Sequence, residues 1–258
     1  MAKGVSIQFK SYGETVPKLL NFIKLGEELK QHDKIVLKPF MQNSFSKSTP
    51  GGFVEAVLKF CIANKRPEAK IIIAEGANGE ETMDLFEESG FKKLAERYNV
   101  SIMDLNTSET EEMRNPEFTK FDSIMYPSIL NNSFVISLPI LTEDPELQVV
   151  TSMSNMIGAF PSKHYKGFFT QKKKKLESWP TKFSIHDINL CKMPNLAVID
   201  ASEKGVILAG KPLDTDKQAV KLLGHDWTNV EFIRMLDERL AVMPSLSESV
   251  ERIVQQTE

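Results

Sequence analysis

Strand-like and helix-like hydrophobic patterns alternate along the chain up to Leu105, and this alternation constrains the fold more than any other feature of the sequence. The clearest segment, Lys70–Ala74, is an uninterrupted aliphatic run, typical of strands that are covered on both faces of a sheet. The patterns predict strands over Val5–Phe9, Lys34–Lys38, Lys70–Ala74 and Val100–Leu105. They predict helices over Thr15–Leu29, Phe53–Ala63 and Glu80–Tyr98, the last with a break at Ser89-Gly90.

A strand and a helix that recur roughly every 30 residues are the signature of right-handed βαβ crossovers. We therefore predict an α/β fold with a Rossmann-like, mainly parallel sheet and helices on both faces. The 258 residues form one unit, which divides at most into lobes 1–115 and 116–258. In open parallel sheets ligands bind at the carboxyl ends of the strands, near a reversal of strand order, so the functional site is expected there.

The second half of the chain has less regular patterns. Strands are predicted over Phe121–Leu130, Ser133–Leu138, Asn195–Ile199 and Val206–Ala209. Helices are predicted over Gln148–Ile157, Ile185–Leu190 with Ser184 as its cap, Asp216–Leu223 capped by Asp214 or Thr215, Val230–Ala241 and Leu246–Gln255. Residues 40–50 are predicted to be a loop, and residues 159–182 are predicted to be a long loop in which helix formation is left open.

Composition excludes several classes of protein. Two distant cysteines, Cys61 and Cys191, exclude a disulfide scaffold and a self-contained four-cysteine zinc or iron–sulfur site. A net charge of −3 gives no bulk signal for nucleic acid or membrane binding. The longest apolar run, residues 133–141, is about half of what a bilayer span needs, and the N-terminus has no apolar leader segment. We expect a cytoplasmic protein.

Charge is nevertheless distributed unevenly. Residues 75–112 carry eleven acids and three bases, whereas residues 163–192 carry eight lysines and two acids. The run Lys172–Lys175 is either a solvated loop or part of a rim that attracts an anionic ligand or an acidic partner.

The common nucleotide, serine-hydrolase and zinc-protease motifs are absent from the sequence. The candidate functional residues are instead polar groups at predicted strand ends. Lys38 ends a strand, where it either extends outward to solvent or points into the site, and Glu75-Gly76 follows another. His164, and His186 with Asp187, have side chains suited to acid–base chemistry or metal binding. Asp200, at the end of a later strand, is either a turn residue or an oxygen ligand for a divalent cation.

The order of several short motifs resembles one family. It comprises a strand ending in Lys-Pro, a strand ending in Glu-Gly, Asp-Leu-Asn, a strand ending in Leu-Pro, Ser-Asn-x-x-Gly, Ile-His-Asp-Ile-Asn and Leu-Ala-Val-Ile-Asp. Over about residues 5–240 this order is similar to that of the domain of unknown function DUF362, a prokaryotic family often fused to ferredoxin-type iron–sulfur modules. The resemblance implies a loose redox or metal association and no established reaction.

Carried over to this chain, the family motifs fall on Lys38-Pro39, Asn155 with Gly158, His186-Asp187, Asp200 and Asp216. Three basic residues of the family motifs are absent here. A Lys-x-His motif falls on Thr142–Asp144, so its lysine and histidine are both missing. The lysine of a Lys-Asn-x-x-Gly motif is replaced by Ser154. This chain therefore handles a different ligand from its relatives or has lost their chemistry.

Together these observations predict a protein that binds a small anionic ligand or a metal ion at the carboxyl ends of its strands. The predicted catalytic residues are Lys38, His186 and Asp187; the predicted ligand-binding residues are Lys38, Glu75, Gly76, Asn155, Gly158 and His164; the predicted metal ligand is Asp200. Any redox role would need an external cofactor, since the chain carries no iron–sulfur cluster of its own. The alternative is a non-catalytic regulatory protein that uses loop 163–182 to bind an acidic partner. The sequence leaves the reaction and the oligomeric state open.

Overall fold

The computed structural model describes residues 3–41, 48–170, 172–177 and 180–241. Its strands are β1 (Val5–Gln8), β2 (Lys34–Pro39), β3 (Lys70–Glu75), β4 (Ser101–Asp104), β5 (Thr110–Met113), β6 (Ile124–Pro127), β7 (Phe134–Leu138), β8 (Thr142–Asp144), β9 (Gln148–Val150), β10 (Leu196–Ala201) and β11 (Val206–Gly210). Its helices are α1 (Tyr12–Phe22), α2 (Leu25–Leu29), α3 (Gly51–Asn64), α4 (Thr82–Glu88), α5 (Phe91–Tyr98), α6 (Ser128–Asn131), α7 (Ser162–Tyr165), α8 (Lys174–Glu177), α9 (Thr181–Cys191), α10 (Pro212–Leu222) and α11 (231–241). Short 3₁₀ helices cover Ser154–Ala159, Ser202–Lys204 and Trp227–Asn229.

Seven strands form the main sheet, in the order β1-β11-β10-β7-β2-β3-β4. The five strands from β10 to β4 are mutually parallel, and β11 runs antiparallel to both of its neighbours. Strands from both sides of residue 115 thus belong to one sheet. The proposed division into lobes stays a prediction.

Both faces of the sheet are covered by helices. On one face, aliphatic residues of β2 and β3, such as Leu37 and Ile73, pack with α1 and α3 through residues such as Leu20 and Val57. On the other face, alternate residues such as Val36 pack with α9 and the 3₁₀ helix Ser154–Ala159, and β10 and β11 pack with α10. The predicted α/β fold, with a mainly parallel sheet between helices, is confirmed.

The strand order reverses at β2. From β2 the chain moves through β3 to β4 on one side, and it then returns to β7 and β10 on the other side. The carboxyl ends of β2 and β7 therefore border a crevice, because their connections leave in opposite directions. Lys38 of β2 pairs with Ser137 of β7 at this position.

Two predicted helices were wrong, and in each a residue with a positive φ interrupts the predicted range. Thr15–Leu29 is two helices, since Lys24 has a left-handed backbone with a φ of 58°. Gln148–Ile157 begins as strand β9, where Gln148 also has a positive φ of 65° in the β8–β9 turn. It continues into a 3₁₀ helix, not an α-helix.

The predicted strand Phe121–Leu130 was wrong in extent. Only Ile124–Pro127 is a strand, and α6 begins directly after Pro127. This strand pairs with β5 in a separate two-stranded sheet, which the polar sequence of β5 did not reveal.

Two predicted helix caps were also wrong. Helix α9 begins at Thr181 after Pro180, which leaves Ser184 inside it, and α10 begins at Pro212 after Lys211. Proline suits the first helical turn, where its missing N–H would have no partner. The predicted helix Leu246–Gln255 and residues 42–47 of the predicted loop lie outside the described residues.

The helices in the described ranges are too short or too polar to cross a lipid bilayer.

Candidate functional site

Lys38 and Glu75 meet at the carboxyl ends of the adjacent strands β2 and β3. Lys38 Nζ donates to Glu75 Oε2 over 2.8 Å, and both side chains are buried. Lys38 therefore does not extend to solvent, which was one of the two interpretations of its position. Gly76 N also donates to the second oxygen of the carboxylate, Glu75 Oε1, over 2.7 Å.

Asn155 occupies the remaining donors of the Lys38 ammonium. Lys38 Nζ donates to Asn155 O over 2.6 Å and to Asn155 Oδ1 over 3.0 Å. An ammonium has three N–H donors, so Lys38 is saturated by the protein. Burial lowers the pKa of Lys38, and the Glu75 carboxylate opposes that shift. Lys38 is thus an internal part of the site's floor.

The side-chain amide of Asn155 connects the 3₁₀ helix Ser154–Ala159 to the sheet. Its Nδ2 donates to Lys38 O over 3.0 Å and to Ser137 Oγ over 2.9 Å. The carboxylate of Asp216 fixes the start of this segment, since it accepts hydrogen bonds from Ser152 N, Ser152 Oγ and Met153 N. Burial raises the pKa of Asp216 to about 6, although these hydrogen bonds oppose the shift.

Two glycines allow the segments of the floor to approach one another closely. A Cβ at Gly158 would lie 1.9 Å from Glu75 Oε1, and a Cβ at Gly76 would lie 2.5 Å from Gly158 O. Contacts this short leave no room for a methyl group. Both glycines are therefore required by packing.

A cavity of about 430 Å³ lies above this floor. This volume is within the range of small-molecule sites, which are about 300–1,000 Å³. Its lining residues come from the ends of β2 and β3, the β8–β9 turn, the 3₁₀ helix, the segment 172–176 and the start of α9. They are Phe40, Met41, Glu75, Gly76, Asn78, Gly79, Glu80, Asp144, Glu146, Leu147, Asn155, Ile157, Gly158, Lys172, Lys173, Leu176 and Thr181.

Lys173 is the least expected member of the lining. Its side chain is 1% exposed, and its Nζ donates to Gly76 O over 2.7 Å and to Gly158 O over 3.3 Å. Burial lowers the pKa of Lys173 to about 7; the nearby Lys38 ammonium adds to the shift, and Glu75 opposes it. Sequence reasoning treated Lys172–Lys175 as one basic run and missed this residue. The available signal was its spacing of three from Leu176, which is also buried.

The neighbouring residue Lys172 is exposed at the cavity rim. Of the lysines in loop 163–182, Lys172 and Lys173 line the cavity. The same loop carries Phe168 and Phe169, which are 95% and 96% exposed.

His186 and Asp187 lie on α9 and do not line the cavity. Asp187 instead anchors the loop before β6, since it accepts hydrogen bonds from Thr119 N, Lys120 N and Phe121 N. His186 Nδ1 lies 2.9 Å from Asp187 Oδ1. Burial raises the pKa of Asp187, but these hydrogen bonds outweigh it and the net shift is downward. The catalytic roles of the pair stay predictions.

His164 and Asp200 also lie apart from the cavity lining. His164 Nε2 is 3.3 Å from Thr110 Oγ1, and burial and neighbouring lysines lower its pKa. Asp200 accepts hydrogen bonds from Tyr12 Oη and Ser202 N, over 2.6 Å and 2.9 Å. Across the described residues there is no group of three His, Cys, Asp or Glu side chains that could hold a metal ion. A metal at Asp200 stays a prediction.

The structure thus brings together Lys38, Glu75, Gly76, Asn155 and Gly158 from the predicted site and adds Lys173. Together they form a charged, buried floor of the cavity, with one amine whose pKa lies close to neutrality. Such an amine can bind an anion when protonated or accept a proton when neutral.

Three comparisons with known proteins bear on this site. The model of the family described as "Domain of unknown function (DUF362)" matches residues 35–229. The lactate racemase apoprotein from Thermoanaerobacterium thermosaccharolyticum has a similar fold, with a TM-score of 0.55 at 12% sequence identity. The match covers 85% of this chain and 56% of that protein, so the chain spans little more than half of its length. No curated protein matches the sequence significantly.

Proposed function

The chain belongs to the DUF362 family of domains of unknown function, and from that premise we propose that it binds a small anionic ligand in the cavity at the carboxyl ends of its strands. In this proposal the Lys173 ammonium is the counter-ion of the ligand. Lys38, Glu75 and Asn155 form the rigid floor beneath it.

The observation that carries the proposal is the imbalance of charge at the floor of the cavity. Lys38 and Lys173 are 0% and 1% exposed, and Glu75, the acidic residue beside them, is 3% exposed. Glu75 forms a direct ion pair with Lys38, whereas Lys173 Nζ is hydrogen-bonded to two neutral carbonyl oxygens. A buried charge without a partner is costly, and an anion in the cavity would remove that cost.

The position of Lys173 agrees with a role in binding. Two carbonyl acceptors use two of its three N–H donors, which leaves one for a ligand. Its side chain lines the cavity, whereas that of Lys38 does not. A hydrogen bond between charged groups contributes about 1.5–3 kcal/mol, which corresponds to roughly 10- to 100-fold in affinity.

The racemase comparison supports the choice of a small organic anion. That protein is named for lactate, a short carboxylate, and its fold resembles this one over most of the present chain. A site at the strand ends of this fold is also where the general rule for parallel sheets places a ligand.

The test is calorimetric titration of the purified protein at pH 6.5 with lactate, acetate and inorganic phosphate. We expect at least one of the three to bind, and the Lys173→Met variant to bind it roughly 10- to 100-fold more weakly. Lys175→Met is the matched control, because Lys175 is exposed, donates to His164 O and does not line the cavity. The proposal is wrong if the wild-type protein binds none of the three, or if Lys173→Met binds as well as Lys175→Met does.

A further inference from the structure

The cavity is lined by carboxylates as well as by ammonium groups. Asp144 and Glu146 contribute acidic side chains from the β8–β9 turn, while Lys172 and Lys173 contribute basic ones from the segment before α8. Between them, the lining includes apolar side chains such as Phe40, Leu147 and Ile157. A purely anionic ligand would use only one part of this lining.

The β8–β9 turn holds its two acids in defined positions. Asp144 Oδ1 accepts hydrogen bonds from Glu146 N and Leu147 N, both over 2.9 Å. This arrangement occupies one carboxylate oxygen and leaves the second for other partners. Glu146 Oε1 accepts a hydrogen bond from Thr181 Oγ1 over 3.0 Å, which connects the turn to the start of α9.

Burial separates the deep cation Lys173 from the acids of the β8–β9 turn, while Lys172 is exposed at the rim and the buried Glu75 is paired with Lys38. Lys173 is 1% exposed, whereas Glu146 is exposed and Asp144 is half-buried. The anionic group of a ligand would thus lie deep, beside the floor, and a cationic group would lie near the mouth, where water can solvate it. This order suits a ligand whose anionic end enters first.

We infer that the ligand of this cavity is a small zwitterion, with a carboxylate for Lys173 and an amine for Asp144 and Glu146, and with a hydrocarbon segment between them. This inference rests on the proposed function and specifies its substrate class. Ion pairs at a hydrated rim contribute about 0.2–1 kcal/mol each, so each acid should tighten binding about 1.4- to 5-fold.

The test compares pairs of probes that differ by one amine: propionate with alanine, and pentanoate with 5-aminopentanoate. Titrations at low ionic strength should show that the amine-bearing member of at least one pair binds roughly 2- to 20-fold more tightly. The two pairs cover a short and a long separation between the charged groups.

The variants Asp144→Asn and Glu146→Gln remove charge while they keep the oxygen atoms that accept the hydrogen bonds of the turn. In the double variant, the amine-bearing probe should no longer bind more tightly than the plain carboxylate. The plain carboxylate should bind at least as tightly as it does to the wild-type protein. Glu143→Gln is the matched control, since Glu143 belongs to the same strand, contacts His225 and does not line the cavity.

The outcomes separate the two proposals. If the plain carboxylates bind and the amine adds nothing, or if its advantage survives in the double variant, the zwitterion inference is overturned and the anion site stands. If neither member of either pair binds, the zwitterion inference fails, and the titrations with lactate, acetate and phosphate decide separately whether the anion site stands. Equal melting temperatures of the variants and the wild-type protein establish that a lost advantage is not a loss of folding.

Discussion

Lys38 Nζ and Glu75 Oε2 form a buried ion pair of 2.8 Å between the ends of two adjacent parallel strands. The same ammonium also bonds Asn155, which lies on a segment that crosses the end of the sheet. One charged group therefore holds three separate parts of the chain in a fixed arrangement. Burying ions is costly, so the pair contributes more to the position of these segments than to net stability.

Removing one member of this pair should destabilise the protein strongly. Lys38→Met leaves the Glu75 carboxylate buried without its cation, and we expect the free energy of unfolding to fall by about 3–5 kcal/mol in urea denaturation. The double variant Lys38→Met/Glu75→Gln should recover part of that loss, because it buries no unpaired charge. Lys18→Met is the control: Lys18 pairs with Glu14 on the surface, and its loss should change stability by less than about 1 kcal/mol. A Lys38→Met variant as stable as this control would contradict the ion pair.

Gly158→Ala should disrupt the floor of the cavity. The added Cβ would lie 1.9 Å from Glu75 Oε1 and 2.8 Å from Lys38 Nζ, so both charged groups must move. We expect a loss of about 3 kcal/mol in unfolding free energy and a loss of ligand binding. Gly13→Ala is the matched control, because its Cβ would meet nothing within 4 Å and alanine favours helix α1. A Gly158→Ala protein with wild-type stability would show that the segments do not approach this closely.

Anion binding should depend on the protonation of Lys173. Burial lowers the pKa of this amine to about 7, so the binding form is the majority form below pH 7 and a minor form above it. The affinity for a monoanion should be constant below pH 6 and should fall about tenfold for each pH unit above pH 8. Calorimetry near pH 7 in two buffers with different ionisation enthalpies should also detect proton uptake on binding. An affinity that stays constant up to pH 9 would assign the counter-ion to another group.

Asp216 should make stability depend on pH in the direction opposite to that of most carboxylates. Burial raises its pKa in the folded protein from 3.8 to about 6, so the folded state binds the proton more tightly than the unfolded state. Its contribution to stability is fully present below pH 3.8 and is lost as the pH rises through 6. Relative to Asp216→Asn, which does not titrate, the wild-type protein should lose about 2 kcal/mol between pH 4 and pH 7. Denaturant curves at four or five pH values would measure this, and a constant difference would contradict it.

The sequence predicted those parts of the fold and site that depend on local patterns. The aliphatic runs that became β2, β3 and β7 determine the centre of the sheet, and the polar residues that follow them lie at its carboxyl edge by geometry alone. This is why Lys38 and Glu75 could be placed together from their positions at strand ends. Asn155 and Gly158 were found through the resemblance to the family's Lys-Asn-x-x-Gly motif.

Other features depend on contacts that no local pattern records. Lys173 resembles its neighbours in the basic run, and only the packing of residues 172–176 against the cavity distinguishes it. The three-residue strands β8 and β9 are too short to show a period, yet they and their turn supply Asp144 and Glu146. His186 and Asp187 have the composition of an acid–base pair, whereas Asp187 is engaged with backbone N–H groups of a neighbouring loop.

The distances along the chain between the groups around Lys38 have a consequence for folding. Glu75 is 37 residues away and Asn155 is 117 residues away, so the floor of the cavity requires the closure of long loops. Contacts between residues that are far apart in sequence form slowly, because the entropy of loop closure must be lost before they contribute. During synthesis, a chain that ends before residue 155 contains both charges of the ion pair but not the amide that saturates the ammonium. The cavity is thus completed late, because a chain that ends before residue 155 lacks Asn155, Gly158, Lys173 and the other later residues of its lining.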